Sequence, residues 1–283
     1  MDYLQRSFKF LGRFLMVSLP IIALTIISGI LQGIINNSSG IAELMENIIE
    51  LSSSGNASSG EIQSMLSENI GVFLMAIALY MGIGIAISFF TVPPTYGMIN
   101  KGLSEGNVSL GDYFPQMFKN FTKYVTYYLA TLVLGLICAT ALSAVVLLPI
   151  IALTTAKSSA VMIISIVGTF LLLGVIAIVF TVINTFLSYV FPAMVVDDLQ
   201  IISAIKRAFE IGKSYFWPTL GIRLLVGLGA ATISSVLGVP LGMFAPPLIV
   251  GIITVLPSAL AEVILNIFSI IVYRSKTGKE QVF

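Results

Sequence analysis

The stretch LIVGIITVLPSALAEVILNIFSIIVY (Leu248–Tyr273) decides the fold, because it is longer and more apolar than a helix of a soluble domain. A helix of about 20 apolar residues crosses a hydrocarbon core. The composition agrees: of 283 residues, 57% are hydrophobic and 10% are charged, and the mean hydropathy is +1.04. Soluble domains do not reach these values. The stretch is therefore predicted to span a membrane.

Five more apolar runs have the length that a membrane-spanning helix needs. The predicted spans are Phe14–Ile35, Ile70–Val92, Tyr124–Leu148, Ala160–Val190, Thr219–Val239 and Leu248–Tyr273. The predicted fold is therefore all-α: a polytopic helical membrane bundle of six transmembrane helices, forming a single transmembrane domain over residues 1–283.

The basic residues predict the orientation of the bundle. One side of the predicted spans carries Arg6, Lys9, Arg13, Lys101, Lys119, Lys123, Lys206, Arg207, Lys213, Arg274, Lys276 and Lys279. The other side carries Lys157 and the glutamate-rich loop 36–69, in which two short amphipathic helices are predicted. Because loops rich in Lys and Arg stay in the cytoplasm, we expect a cell-membrane protein with cytoplasmic N and C termini.

The chain lacks the usual residues of catalytic and metal centres. It has no histidine, and its only cysteine, Cys138, lies in an apolar run. This argues against an intrachain disulfide, a His/Cys zinc site and the commonest general base. We therefore expect neither an enzyme nor a bound cofactor or metal. A net charge of +1 gives no electrostatic footprint for nucleic acid.

The polar island Val190–Pro218 interrupts the apolar chain, and it has the spacing of an amphipathic helix. We predict cytoplasmic interfacial helices at 93–123 and 191–218, with Pro192 ending the preceding span and Asp197 capping the second helix. The polar and aromatic candidates of this helix are Asp197, Lys206, Arg207, Glu210, Lys213 and Trp217. Such a helix lies along the headgroups, with its basic residues near anionic lipid.

The same local pattern occurs three times. The units are SFKFLGRF (Ser7–Phe14), MFKNFTKY (Met117–Tyr124) and AFEIGKSY (Ala208–Tyr215). Each begins with a small or apolar residue and Phe, has an aromatic residue six positions after that Phe, and precedes a predicted span. The pattern predicts three repeats of an interfacial amphipathic helix plus a membrane hairpin, although interface segments can also converge on it.

The island resembles the signature of the YciC-like family of integral membrane proteins, which is also found in the membrane domain fused to some glycerophosphodiester phosphodiesterases. The resemblance rests on Phe191–Pro192, Asp197, Ala204, Lys206–Arg207, Phe209 and Phe216–Trp217. It covers about 35 residues, and it implies a helical membrane domain without an agreed activity. The phosphodiesterase chemistry belongs to a separate domain and is not implied for this chain.

Glu262 is the acidic residue that lies deep in a predicted span, where an ionisable side chain is costly. Asn266 follows one helical turn later, Arg223 lies in the neighbouring span, and Asn184 lies in the long fourth span. Three interpretations stay open. Glu262 holds the last hairpin together through an ion pair with Arg223 or a hydrogen bond, it is a protonatable or cation-binding group on a transport pathway, or it is a packing feature without a function.

Small residues predict where helices approach closely. The candidates are Gly29, Gly33, Gly82, Gly84, Ala86, Gly227, Gly229 and Ala231.

Two function classes follow. The first is a non-enzymatic multi-pass membrane scaffold or accessory subunit, whose cytoplasmic helices contact lipid or a membrane or cytoplasmic protein partner. The alternative is a transporter or channel for a small solute, ion or lipid that uses Glu262. A homo-oligomer is compatible with either. A transporter predicts that the intramembrane polar groups line one cavity, whereas a scaffold predicts a filled bundle.

Overall fold

The computed structural model describes residues 2–38, 67–155 and 159–279, together with a few single positions between 40 and 64. The helices are α1 (Asp2–Arg13), α2 (Leu19–Ser38), α3 (Ile70–Glu105), α4 (Tyr113–Thr155), α5 (Ser159–Leu187), α6 (Val190–Val196), α7 (Ile201–Phe244) and α8 (Pro247–Lys276). Single 3₁₀ turns lie at Leu15–Val17 and Leu110–Asp112. The described residues contain no strand. The outer-loop helices predicted within 36–69 fall largely outside the described residues.

The all-α prediction and the six spans are confirmed. Among the described residues, six helices are long and apolar enough to cross a membrane, and they lie at Leu15–Ile35, Ile70–Glu105, Leu110–Thr140, Phe170–Val196, Ile201–Phe244 and Ile249–Lys276. All six contain a predicted span or most of one. Hydropathy could locate them because the cost of burying polar groups in lipid acts on each segment separately.

Helix α8 is the centre of the bundle, because it packs against α1, α2, α3, α6 and α7. Every residue from Ile267 to Arg274 is buried. At the same end, the Tyr3 hydroxyl is 2.9 Å from Ser275 Oγ, and Arg274 Nη1 donates to Asn100 Oδ1 at 2.8 Å. The C-terminal half of α8 is therefore the core around which the other helices pack.

The predicted interfacial helices are not separate elements. Residues 93–105 continue α3 through Pro93 and Pro94, and residues 201–218 are the first turns of α7. A kink at Tyr215 (φ −132°, ψ 23°) divides α7 there. Its physical cause is Pro218, which has no N–H to donate to the preceding turn and clashes with that turn's carbonyl. The kink sets the amphipathic start of α7 off from the span.

The prediction that 191–218 lies along the interface was wrong for its first residues. Helix α5 ends at Leu187, but the fourth apolar segment continues to Val196, and Pro192 lies inside the short helix α6 instead of ending the span. Residues 190–195 are all buried. The reason is composition: VFPAMVV is apolar on every side, and a helix without a polar face packs inside a bundle.

The three sequence units share a pattern of burial. In each unit the first residue is buried, the next Phe is exposed, and the aromatic residue six positions later is buried or half-buried. The exposed members are Phe8, Phe118 and Phe209. The helix is broken at Phe14 (φ −124°, ψ 52°) much as at Tyr215, whereas α4 stays helical through Tyr124. These likenesses support the repeat as a proposal.

Candidate functional site

A polar cavity of about 370 Å³ lies between α3, α4, α5, α7 and α8. This volume is within the range of small-molecule sites, which is roughly 300–1,000 Å³. All four intramembrane candidates line it: Asn184, Arg223, Glu262 and Asn266. The other lining residues are Tyr96, Tyr127, Leu187, Ser188, Gly227, Ala230, Ser258, Ala261, Leu265 and Ser269. Helices α5, α7 and α8 thus bring the predicted polar groups together.

Glu262 lies near the midpoint of α8, between the buried neighbours Ala261 and Val263, but it is itself exposed. Its carboxylate thus faces the open space of the cavity and not the packed core. The position of Glu262 is unusual, because an acidic side chain at this depth of a membrane span is energetically costly. Such a residue is retained where it has a function or a partner.

The expected ion pair between Glu262 and Arg223 is not formed. Both residues line the cavity, yet the ion pairs of the described residues, which extend to 4.0 Å, do not include this one. Arg223 is half-buried in α7. Two opposite charges therefore share one cavity without neutralising each other directly, and each is available to a ligand.

Tyr96 and Asn266 form a fixed part of the wall. The Tyr96 hydroxyl donates to Asn266 Oδ1 at 3.0 Å, and the Tyr96 ring packs edge-on against Phe191 with centroids 4.9 Å apart. Asn266 Nδ2 is buried without a hydrogen-bond partner among the described residues. A buried donor without a partner costs about 1–3 kcal/mol. An acceptor group of a ligand in the cavity would relieve that cost.

The cavity offers several charged and polar groups to a bound ligand. It combines one carboxylate, one guanidinium, amide groups of two asparagines and hydroxyl groups of serine and tyrosine. In the part of the chain that the structure describes, no group of three His, Cys, Asp or Glu side chains is placed to hold a metal ion. A charged pair in a low-dielectric surrounding binds ionic groups more strongly than it would in water.

Sequence reasoning missed Tyr96, Tyr127, Ser188 and Ser258. Tyr96 follows Pro93–Pro94, which favoured the end of the span at Val92, whereas α3 continues to Glu105. Tyr127, Ser188 and Ser258 are typical membrane-helix residues, and only the assembled bundle shows that they face the cavity. A continued hydrophobic periodicity beyond the prolines was the one signal that could have found Tyr96.

The interfacial candidates lie apart from the cavity. Lys206, Glu210, Lys213 and Trp217 are exposed or half-buried on α7, and Arg207 Nη1 donates to Glu210 Oε2 at 2.7 Å. Trp217 is 77% exposed, as an indole at the headgroup level would be. These residues form a surface rather than a pocket.

Asp197 does not cap α7, so that prediction was wrong. It ends α6, accepts a hydrogen bond from the Tyr273 hydroxyl at 2.5 Å and forms an ion pair with Lys279. Burial raises the pKa of Asp197, but the hydrogen bonds from Lys279 and Tyr273 lower it more, so the pKa lies below its usual value. The reason is tertiary: a charged partner from the end of α8 is a stronger ligand for this carboxylate than a backbone N–H.

No family model, curated protein or solved structure matches this chain. The resemblance to the YciC-like family therefore stays a prediction, and the function has to be argued from the cavity itself.

Proposed function

We propose that this multi-pass membrane protein is a transporter that binds a small charged or polar solute in the cavity between α3, α4, α5, α7 and α8. The observation that carries the proposal is that Asn184, Arg223, Glu262 and Asn266 line one cavity while Glu262 and Arg223 remain unpaired with each other. A filled bundle, as a scaffold would have, offers no reason to keep these costly groups at mid-membrane depth.

The proposal assigns a role to each group. Arg223 would bind an anionic group of the solute through its planar, multiply donating head, and Glu262 would bind a cationic group or a proton. Asn184 and Asn266 would supply neutral hydrogen bonds. We also propose the orientation that the basic residues predict, with both termini in the cytoplasm of a cell-membrane protein.

Cysteine labelling tests the proposal. Cys138 is the single cysteine, so a C138S chain provides a clean background for Asn184→Cys on α5 and Ser258→Cys on α8. A membrane-impermeant thiol reagent is added separately to right-side-out and to inverted vesicles. Alternating access predicts that both positions react from both sides, because a transport cavity must open to each side in turn.

Leu224→Cys and Leu228→Cys are the matched controls on α7. Their side chains are 52% and 66% exposed, and neither lines the cavity. They should stay unreactive in lipid. Labelling of the cavity positions from one side alone, or from neither, would contradict transport.

A scaffold is the second candidate, and the start of α7 favours it. Ile202 is 68% exposed and Phe209 is 47% exposed, next to the basic residues Lys206 and Arg207. This amphipathic surface suits contact with headgroups or with a partner. Unreactive cysteines at Asn184 and Ser258 would leave the scaffold as the better function. In either case we propose a non-enzymatic role, in keeping with the lack of histidine.

A further inference from the structure

An apolar groove of about 420 Å³ lies beside the polar cavity, between α4, α5 and the start of α7. Its walls carry almost no polar atoms. The lining residues are Tyr127, Ala130, Thr131, Leu134, Val182, Ile183, Phe186, Leu187, Val190, Ile201, Ile205 and Phe209. The amphipathic start of α7 thus lines one side of the groove with Ile201, Ile205 and Phe209.

Two side chains lie between the groove and the polar cavity. Tyr127 and Leu187 line both spaces, and they also line two smaller cavities of about 160 and 190 Å³. The polar cavity and the apolar groove are therefore next to each other across one pair of residues. A single molecule with a polar end and an apolar end would have to lie across Tyr127 and Leu187 to occupy both.

The ligand of such a groove has to be argued against the surrounding bilayer, because lipid chains compete for the same apolar surface. In a membrane, lipid chains are as apolar as leucine, so an apolar groove offers a chain no hydrophobic gain over the bilayer. Selectivity must come from the polar end, where Glu262 and Arg223 present opposite charges in one cavity. An occupant with a cation, an anion and an acyl chain matches all three features.

We infer that the ligand of this cavity is a membrane phospholipid with an amine-bearing zwitterionic headgroup, its headgroup between Glu262 and Arg223 and one acyl chain in the groove beyond Tyr127 and Leu187. The inference rests on the proposed function and narrows its substrate class. Arg223 binds the phosphate, Glu262 binds the ammonium, and Asn266 Nδ2, which has no partner among the described residues, donates to a headgroup oxygen.

The test measures binding to the full-length, detergent-purified chain by native mass spectrometry. The probes are phosphatidylethanolamine, phosphatidylglycerol with the same acyl chains, and soluble phosphoethanolamine. We expect about tenfold tighter binding of phosphatidylethanolamine than of phosphatidylglycerol, and Glu262→Gln should remove most of that preference.

A groove variant separates the two parts of the ligand. Ala130 is a half-buried groove residue, so Ala130→Phe fills the groove, whereas Ala177→Phe adds the same ring at an exposed position of α5 outside it. Ala130→Phe should weaken phosphatidylethanolamine binding about tenfold and leave phosphoethanolamine binding unchanged. Ala177→Phe should change neither.

The experiments distinguish failure of the lipid inference from failure of the proposed transport function. If the two lipids bind equally, or if Ala130→Phe has no effect on phosphatidylethanolamine, the lipid inference is overturned. Transport of a small solute then stands provided that the cysteines at Asn184 and Ser258 react from both sides. If those cysteines react from one side alone or from neither, the proposed transport function falls, whichever probes bind.

Discussion

The two halves of α8 differ sharply in packing. From Ile267 to Arg274 every residue is buried, whereas none of the residues from Ile249 to Ser258 is. Helix α3 shows the same division, since Thr91–Leu103 is mostly buried and Ile70–Phe90 has Ala76 as its one buried residue. We call the well-packed end, made of 91–103, 190–195 and 267–274, the packed half, and the other end the open half.

The difference teaches where a polar site can form. In the packed half, aromatic rings interlock around Phe191, with the centroids of Tyr96, Tyr124 and Tyr127 between 4.9 and 5.5 Å away. In the open half, almost all side chains are exposed or half-buried. Glu262 lies where the two halves meet, so the cavity has a tightly packed wall on one side and a loosely packed wall on the other. That arrangement suits a binding site that must open and close.

The largest expected effect tests the packed half directly. Phe268 is 1% exposed at the centre of the packed half, and Phe268→Ala should leave a void that the surrounding helices cannot fill. Large-to-small changes of this kind cost about 3–5 kcal/mol in well-packed cores. Thermal unfolding of the purified protein in detergent should show the lowered melting temperature.

Phe170→Ala is the matched control in the open half. Phe170 is 71% exposed on α5, so its loss removes few contacts with the rest of the protein. We expect a change within about 0.5 kcal/mol, as for other exposed positions. Equal losses from the two variants would break the division into a packed and an open half.

A smaller loss of stability is expected at the end of the packed half, where Asp197 contacts two residues near the C terminus. Asp197 connects α6 to Tyr273 and Lys279, and Asp197→Asn should cost about 1 kcal/mol, because the partly exposed ion pair is screened by water. Since the pKa of Asp197 is lowered in the folded protein, its contribution is present above the unfolded value of about 4 and is lost as the pH falls below it.

Melting temperatures measured between neutral and acidic pH check both statements. The wild-type protein should lose stability below about pH 4, and the Asp197→Asn protein should lose less over the same range. Glu210→Gln is the control, because its pair with Arg207 is exposed on the surface of α7. If the melting temperatures of the wild type and of Asp197→Asn fall equally at acidic pH, the contacts of Asp197 do not stabilise this end of the packed half.

The spans were predictable from sequence, but the places of closest packing were not. At Gly29, Gly33, Gly82, Gly84 and Gly229 an added Cβ would meet no atom of the described residues within 4 Å, so the predicted close approaches do not occur there. They occur at Gly97, Gly102 and Gly212, where an added Cβ would lie 2.6, 2.8 and 2.3 Å from neighbouring side-chain atoms. Hydropathy is a property of one segment, whereas the face that a helix turns to its neighbours depends on the whole bundle.

The residues of the candidate site could be predicted from the sequence, but their convergence on one cavity could not. A polar side chain in an apolar run is expensive wherever the helix packs, so Glu262, Asn266, Arg223 and Asn184 could be selected one at a time. Their convergence on one cavity requires α5, α7 and α8 to meet, and nothing local encodes that. The ion pair was inferred from the proximity of two antiparallel spans, but proximity of helices does not fix the direction of long side chains.

The smallest expected effect on stability belongs to Glu262→Gln. This variant tests whether Glu262 belongs to the packed half or only faces the cavity. If Glu262 held the last hairpin through Arg223, removing its charge would leave a buried cation unpaired and cost several kcal/mol. Because Glu262 faces the cavity without that pair, we expect the melting temperature to change by the equivalent of about 0.5 kcal/mol or less. Arg223→Gln should likewise leave the fold intact. A large loss of stability in Glu262→Gln would assign this residue to the packed half and make it a structural group.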